Sequence, residues 1–137
     1  MHTVYLGLGS NLGDRRAIII NTIKHINNKI GKVIKKSSLI ETAPWGYNST
    51  NKFLNACICV QTNLSPQQLL DTTQEIELLM GRTNKSINGI YEDRTIDIDI
   101  LLYDDLKIDK PNLKIPHPLM KKREFVMKPL DEIRKIV

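Results

Sequence analysis

The 137-residue chain is 41% hydrophobic and 26% charged, a balance that suits one globular domain over residues 1–137 and excludes a disordered or fibrous protein. No apolar run nears the roughly 20 residues that a membrane-spanning helix needs, and Met1-His2-Thr3-Val4-Tyr5 lacks the basic region and cleavage site of a secretory signal, so a cytoplasmic protein with no membrane partner is expected. The net charge of +5 is uneven: residues 1–106 balance eleven Lys/Arg against eleven Asp/Glu, whereas 107–137 hold nine basic residues against four acids. Such a tail suits an anionic partner or a solvated surface.

Thr3 to Leu8 reads as a strand ending at the glycine-rich turn Gly7-Leu8-Gly9-Ser10-Asn11-Leu12-Gly13. The glycines spell G-x-G-x-x-x-G, one residue longer than the dinucleotide fingerprint, and no alternating parallel-sheet pattern follows. The segment is therefore read as a structural turn; a Walker A motif is absent too. Ile19, Ile23, Ile26 and Ile30 recur at helical spacing, which predicts a helix from about Asp14 to Lys29 that stops at Gly31. Lys32 to Glu41 is a second strand candidate, and Thr42 to Lys52 a loop rich in turn residues.

Phe53 to Thr62 predicts a third strand, with Leu54, Ala56, Ile58 and Val60 on one face and Phe53, Asn55, Cys57 and Cys59 on the other. Ser65-Pro66-Gln67-Gln68 has the capping-box pattern with proline at the first helical position, so a second helix runs from there to about Met80, with Gly81 as its stop. A polar loop, 82–94, precedes a fourth strand from Thr95 to Leu102. Strand, helix, strand, strand, helix, strand is the order of a ferredoxin-like α+β sandwich. Such a βαββαβ core carries helices on one face of an antiparallel sheet and leaves the other face to loops and ligands. Cys57 and Cys59, with three scattered histidines, do not make a zinc site and read as small core residues kept reduced.

The stretch Arg94-Thr95-Ile96-Asp97-Ile98-Asp99-Ile100-Leu101-Leu102 carries the chemistry. Alternation sends Ile96, Ile98, Ile100 and Leu102 into the core and Asp97 and Asp99 to the opposite face, with Cα atoms roughly 6–7 Å apart. Paired carboxylates repel one another and gain nothing structural there, but they can hold Mg²⁺ that bridges a nucleotide's phosphates; the plainer alternative is a solvated face. Arg82 and Arg94 bound the loop before this strand and Arg123 follows it, and arginine forks suit phosphate oxygens. In Pro116-His117-Pro118 two prolines restrict the backbone around a candidate phosphate donor. Carboxylates and arginines together are what phosphoryl transfer asks for.

Gly9-Ser10-Asn11-Leu12-Gly13-Asp14, Phe53-Leu54-Asn55-Ala56, Gln74 through Glu77 to Gly81-Arg82, the Arg94 to Leu101 strand and Pro116-His117-Pro118 occur together in order over nearly the whole chain. In these motifs the sequence resembles the 6-hydroxymethyl-7,8-dihydropterin pyrophosphokinases of folate biosynthesis. The resemblance implies transfer of the β,γ-pyrophosphate of ATP to the pterin's hydroxymethyl oxygen, with AMP released. It implies two Mg²⁺ ions on Asp97 and Asp99, with Arg82 and Arg94 stabilising the transferring group. ATP contacts would come from Gln74, Glu77, Arg82, Arg94, Ile100, Lys114, His117 and Arg123. Pterin contacts would come from Thr42, Ala43, Trp45 and Asn55, with Phe53 and Phe125 on the two faces of the ring. The protein is then expected to be a monomer that binds ATP and the pterin and no nucleic acid, with loops 42–52 and 82–94 closing over substrate.

Asn84, Tyr91, Asn112 and Lys114 depart from the family's usual residues, and the loop 83–93 looks about two residues longer. Two other readings compete. An RNA-binding module on the same fold would want an aromatic motif that Lys52-Phe53-Leu54-Asn55-Ala56-Cys57 lacks. A metal-dependent nucleotidyltransferase explains the carboxylates but not Phe53, Asn55 and Phe125.

Overall fold

A computed structural model describes residues 1–43, 51–81 and 95–134. In chain order they form β1 (His2–Ser10), α1 (Arg15–Lys29), β2 (Gly31–Lys36), β3 (Ile40–Thr42), β4 (Phe53–Thr62), α2 (Pro66–Leu79) and β5 (Asp97–Tyr103). A hairpin, β6 (Ile108–Lys110) and β7 (Leu113–Ile115), a 3-10 turn (Met120–Lys122) and α3 (Glu124–Ile133) complete the described chain. The main sheet runs β2-β4-β1-β5 with β3 also on β4, and all its pairings are antiparallel.

The larger core follows from alternation along the strands. Val4, Leu6 and Leu8 of β1 and Ile58 and Val60 of β4 lie against Ile19 and Ile26 of α1 and Leu69 and Ile76 of α2. Each such side chain contributes about 1.5–3 kcal/mol on burial. The helix starts match their sequence signals. The Asp14 carboxylate accepts from the Ala17 N–H, and the Ser65 hydroxyl and Gln68 side chain cap α2 reciprocally. Gly81, in the left-handed region at φ +91°, follows the last turn of α2.

Four expectations need correction. The sheet carries helices on both faces, because α3 covers part of the side expected to be open. Leu130, Val126, Ile133 and Met120 form a second buried cluster there with Cys57, Cys59 and Leu101. Pro129 in the middle of α3 broke the helical pattern that would have announced it. The strand predicted over 32–41 is two short pieces on one edge of β4. Between them Ser37 takes over the ladder: its N–H donates to the Cys57 carbonyl at 2.9 Å, and its hydroxyl accepts from the Cys57 N–H at 2.8 Å.

The glycine-rich segment is mostly strand, since β1 continues through Gly7 and Gly9 to Ser10. Finally, the β1–β5 pairing slips between Tyr5 and Leu6, which pair with Leu102 and Ile100. The extra residue of this bulge, Leu101, reverses the alternation beyond it. Tyr103 therefore takes the core position, and Leu102 packs beside the second cluster. Both cysteines are free and buried, and burial, reinforced by the Asp99 charge, pushes the Cys57 thiol up to about 12.

Gly31 opens β2 opposite Thr62. A Cβ there would lie 2.0 Å from the Gln61 carbonyl oxygen and 3.0 Å from the Thr62 Cα, so the close approach of two backbones excludes any side chain. Gly31→Ala should therefore lower unfolding free energy by about 1–3 kcal/mol or more, against about 1 kcal/mol for the cap variant Ser65→Ala. Urea denaturation of the two variants measures both; an alanine tolerated at position 31 would contradict the β2–β4 register.

Candidate active site

The site is built on the face of the sheet that α3 only partly covers. Strand register sets two rows across it. Asn55, Gly9 and Asp97 occupy one row on β4, β1 and β5, and Cys57, Gly7 and Asp99 the next. All six residues lie on the same side, because Leu8 between the glycines is buried with Ala56 and Ile98 as its neighbours. Two polar groups thus face each other across a strip of bare backbone.

That strip is the floor of a cleft lined by Thr42, Ala43, Phe53, Asn55, Phe125 and Gly9 and bounded by Asp97, Asp99 and Arg123. The Asn55 amide N–H donates to the Thr42 hydroxyl at 2.7 Å, and Asn55 is 5% exposed, so its amide is held rather than free to rotate. A second, wider cleft lies beyond the carboxylates, lined by Gln74, Glu77, Ile100, Lys114, His117 and Asn112 among others. Asp97, Asp99 and Arg123 line both clefts.

A histidine and an arginine converge on Asp99. The His117 Nε2 lies 4.0 Å from one of its carboxylate oxygens and the Arg123 Nη1 4.0 Å from the other. Arg123 is 8% exposed, and its guanidinium lies 5.7 Å from the centre of the Phe125 ring, a cation–π distance. Desolvation, with the Arg123 charge second, holds the His117 pKa below its ordinary value. His117 Nδ1 accepts from the Leu119 N–H at 3.3 Å, which leaves the proton of the neutral ring on Nε2, the atom facing Asp99. The loop is tied to β5 through its backbone, as the His117 N–H donates to the carbonyl of the bulge residue Leu101 at 3.1 Å.

Glu77 is 4% exposed and its carboxylate accepts from the Ile98 N–H at 2.9 Å. It therefore grips β5 at the residue between the two aspartates. Ile100 has its side chain in the larger core, so what it can offer the second cleft is main chain. Lys114 forms an ion pair with Asp109 within the hairpin.

Among the described residues no group of three or more His, Cys, Asp and Glu side chains could hold a metal. The pair Asp97 and Asp99 suits a hard cation such as Mg²⁺, which usually binds one or two carboxylates and takes its other oxygens from phosphate and water. The residues implied by the family resemblance fall into two groups: Thr42, Ala43, Phe53, Asn55 and Phe125 at the first cleft, Gln74, Glu77, Ile100, Lys114 and His117 at the second. Trp45, Arg82, Asn84, Tyr91 and Arg94 lie outside the described residues. Sequence reading missed Gly7 and Gly9, whose signal was their alternation with Leu6 and Leu8 in a strand, not their likeness to a phosphate loop.

The family model of 7,8-dihydro-6-hydroxymethylpterin-pyrophosphokinase matches residues 5–135. The chain is 45% identical to the 2-amino-4-hydroxy-6-hydroxymethyldihydropteridine pyrophosphokinase of Porphyromonas gingivalis over 97% of this chain and 91% of that one. It is 42% identical to the enzyme of that name from Aquifex aeolicus, over 97% of this chain and 81% of that one. Among solved structures, that of Plasmodium falciparum HPPK-DHPS with pteroate superposes with a TM-score of 0.75 at 20% identity. The superposition covers 96% of this chain and 38% of the Plasmodium chain, and it shows a common fold.

The Glu77 contact gives a test of the β5 geometry. Glu77→Gln keeps a carbonyl that can accept from Ile98, whereas Glu77→Leu leaves that buried N–H without it, at a cost of about 1–3 kcal/mol. The leucine variant should be the less stable of the two in urea denaturation. Equal stabilities would show that the Ile98 hydrogen bond does not hold the strand.

Proposed function

The chain belongs to the 7,8-dihydro-6-hydroxymethylpterin-pyrophosphokinase family, and we infer that it transfers pyrophosphate from ATP to the hydroxymethyl group of 6-hydroxymethyl-7,8-dihydropterin in folate synthesis. The observation that supports a division of labour is the meeting of two clefts at Asp97, Asp99 and Arg123. We assign the pterin to the cleft of Phe53, Asn55 and Phe125, and ATP to the cleft of Gln74, Glu77 and His117.

The assignment suits each ligand's chemistry. A flat heterocycle gains from the two phenylalanine faces, and the Asn55 amide can both donate and accept along its polar edge. The triphosphate would lie toward the Asp97–Asp99 pair, where Arg123 and the His117 Nε2–H are donors beside Asp99. Asp97 and Asp99 would hold Mg²⁺, two ions in our reading, which when bound neutralises phosphate charge and orients the transferring group. The chain's own part is to place the hydroxymethyl oxygen in line with the β-phosphorus over the Gly7–Gly9 strip. There the new O–P bond forms, the bond to the α-phosphate's bridging oxygen breaks, AMP leaves, and the hydroxyl proton passes to water. Arg82 and Arg94 join the same transfer in this reading, and Thr42, Ala43 and Trp45 border the pterin. One catalytic unit over the whole chain, acting as a monomer, suffices for this scheme.

Incubation with Mg-ATP and the dihydropterin should yield AMP and the pterin diphosphate; ADP, or nucleotide turnover independent of the pterin, would sink the reading. Asp97→Ala and Asp99→Ala should each lower kcat by about 10²-fold or more, with thermal unfolding little changed. Chelation of divalent metal should abolish turnover in the native chain, and added Mg²⁺ should restore it.

A further inference from the structure

Gly9 has no backbone reason to be glycine. It lies inside β1, paired with both Asn55 and Asp97, and it is not among the residues with positive φ, which Gly13 and Gly81 are. In a strand interior glycine is an unfavourable choice, lacking a side chain to pack and costing more conformational entropy than alanine. What distinguishes the position is the space above it. A Cβ on Gly9 would stand 3.1 Å from the Asn55 Oδ1 and 3.5 Å from the Phe53 ring. The first distance is tight, and the neighbour cannot easily give way, because Asn55 is buried and its amide is tied to Thr42 at 2.7 Å. Gly7, by contrast, would place a Cβ in ordinary contact with the Leu101 side chain, at 3.5 Å.

We propose that Gly9 is a specificity-determining position for the pterin. It has no functional group of its own; its bare backbone sets the depth of the first cleft and fixes the orientation of the Asn55 amide that reads the ring's polar edge. Any side chain at position 9 raises the floor between Phe53 and Asp97 and pushes the amide out of line, so the cost falls on the pterin and not on ATP. The inference rests on assigning the pterin to that cleft.

The test is calorimetric titration of the full chain with 6-hydroxymethyl-7,8-dihydropterin in the presence of a non-hydrolysable Mg-ATP analogue, and with the analogue alone. Gly9→Ala should weaken pterin binding by about tenfold or more while analogue binding stays within about twofold of the native chain. The amide link makes a sharper demand. In an Asn55→Ala background the same glycine substitution should cost less than about twofold, since the group it displaces is already gone. Undiminished pterin binding by Gly9→Ala overturns the proposal, as does equal loss of the ATP analogue. Full additivity with Asn55→Ala overturns the link through the amide. A native chain that binds the analogue but no pterin would instead defeat the cleft assignment.

Discussion

The register of β1 between β4 and β5 is the constraint on which the site depends. Gly9 pairs with Asn55 on one side and Asp97 on the other, and Gly7 with Cys57 and Asp99. Strand separation is roughly 4.8 Å, so these rows set the span between the Asn55 amide and the Asp97 and Asp99 carboxylates by main-chain hydrogen bonds alone. A slip of one residue in either pairing would turn the aspartates toward the core. The buried Val4, Leu6 and Leu8 of β1 and Ile98 and Ile100 of β5 oppose such slips, because each slip would expose the core side chains of the strand that turns over. Core burial and the geometry of the candidate site are therefore enforced by the same alternation.

The second cluster gives the site its walls. Once Cys57, Cys59 and Leu101 present small or bulge-shifted apolar surface on the far face, α3 can settle there through Val126, Leu130 and Ile133. That docking fixes Arg123, the N-cap residue of α3, and Phe125 in its first turn. A buried arginine is costly without nearby negative charge, and Asp99 at 4.0 Å supplies some of it. Triphosphate in the neighbouring cleft would supply more. Arg123 thus has reason to sit where both clefts meet.

Local signals carried the sequence reading a long way. The Ser65 capping box, the Asp14 start of α1, the β4 boundaries and the shared face of Asp97 and Asp99 were legible because each depends on residues close in the chain. The misses share a different cause. Nothing near Leu101 announces a bulge, which arises from how β5 meets Tyr5 and Leu6 nearly a hundred residues earlier. Gly31 does follow the end of α1, as its type suggests, yet the need for glycine there comes from Gln61 across the sheet, which no nearby residue announces. Gly9 is the same case: in sequence it reads as part of a turn into the first helix, whereas the space above it is bounded by Asn55 on the next strand. Phe53, Asn55 and Phe125 were drawn together by family likeness, and only the sheet and α3 explain why they share a cleft.

The outer edge of β5 explains why the second cleft lies where it does. β5 ends the main sheet, so its outward main-chain groups need partners or water. Glu77 takes the Ile98 N–H from the α2 side, and the His117 N–H takes the Leu101 carbonyl from the loop side. Between these two ties lies Ile100, whose side chain is buried while the residue still lines the cleft. Covering the edge completely, with another strand for instance, would have closed that space. Clasping it at two points steadies the strand that carries the aspartates and leaves a stretch of main chain between the clasps at the cleft wall. In the assignment we propose, that main chain is what the second cleft offers to ATP beside Asp97 and Asp99.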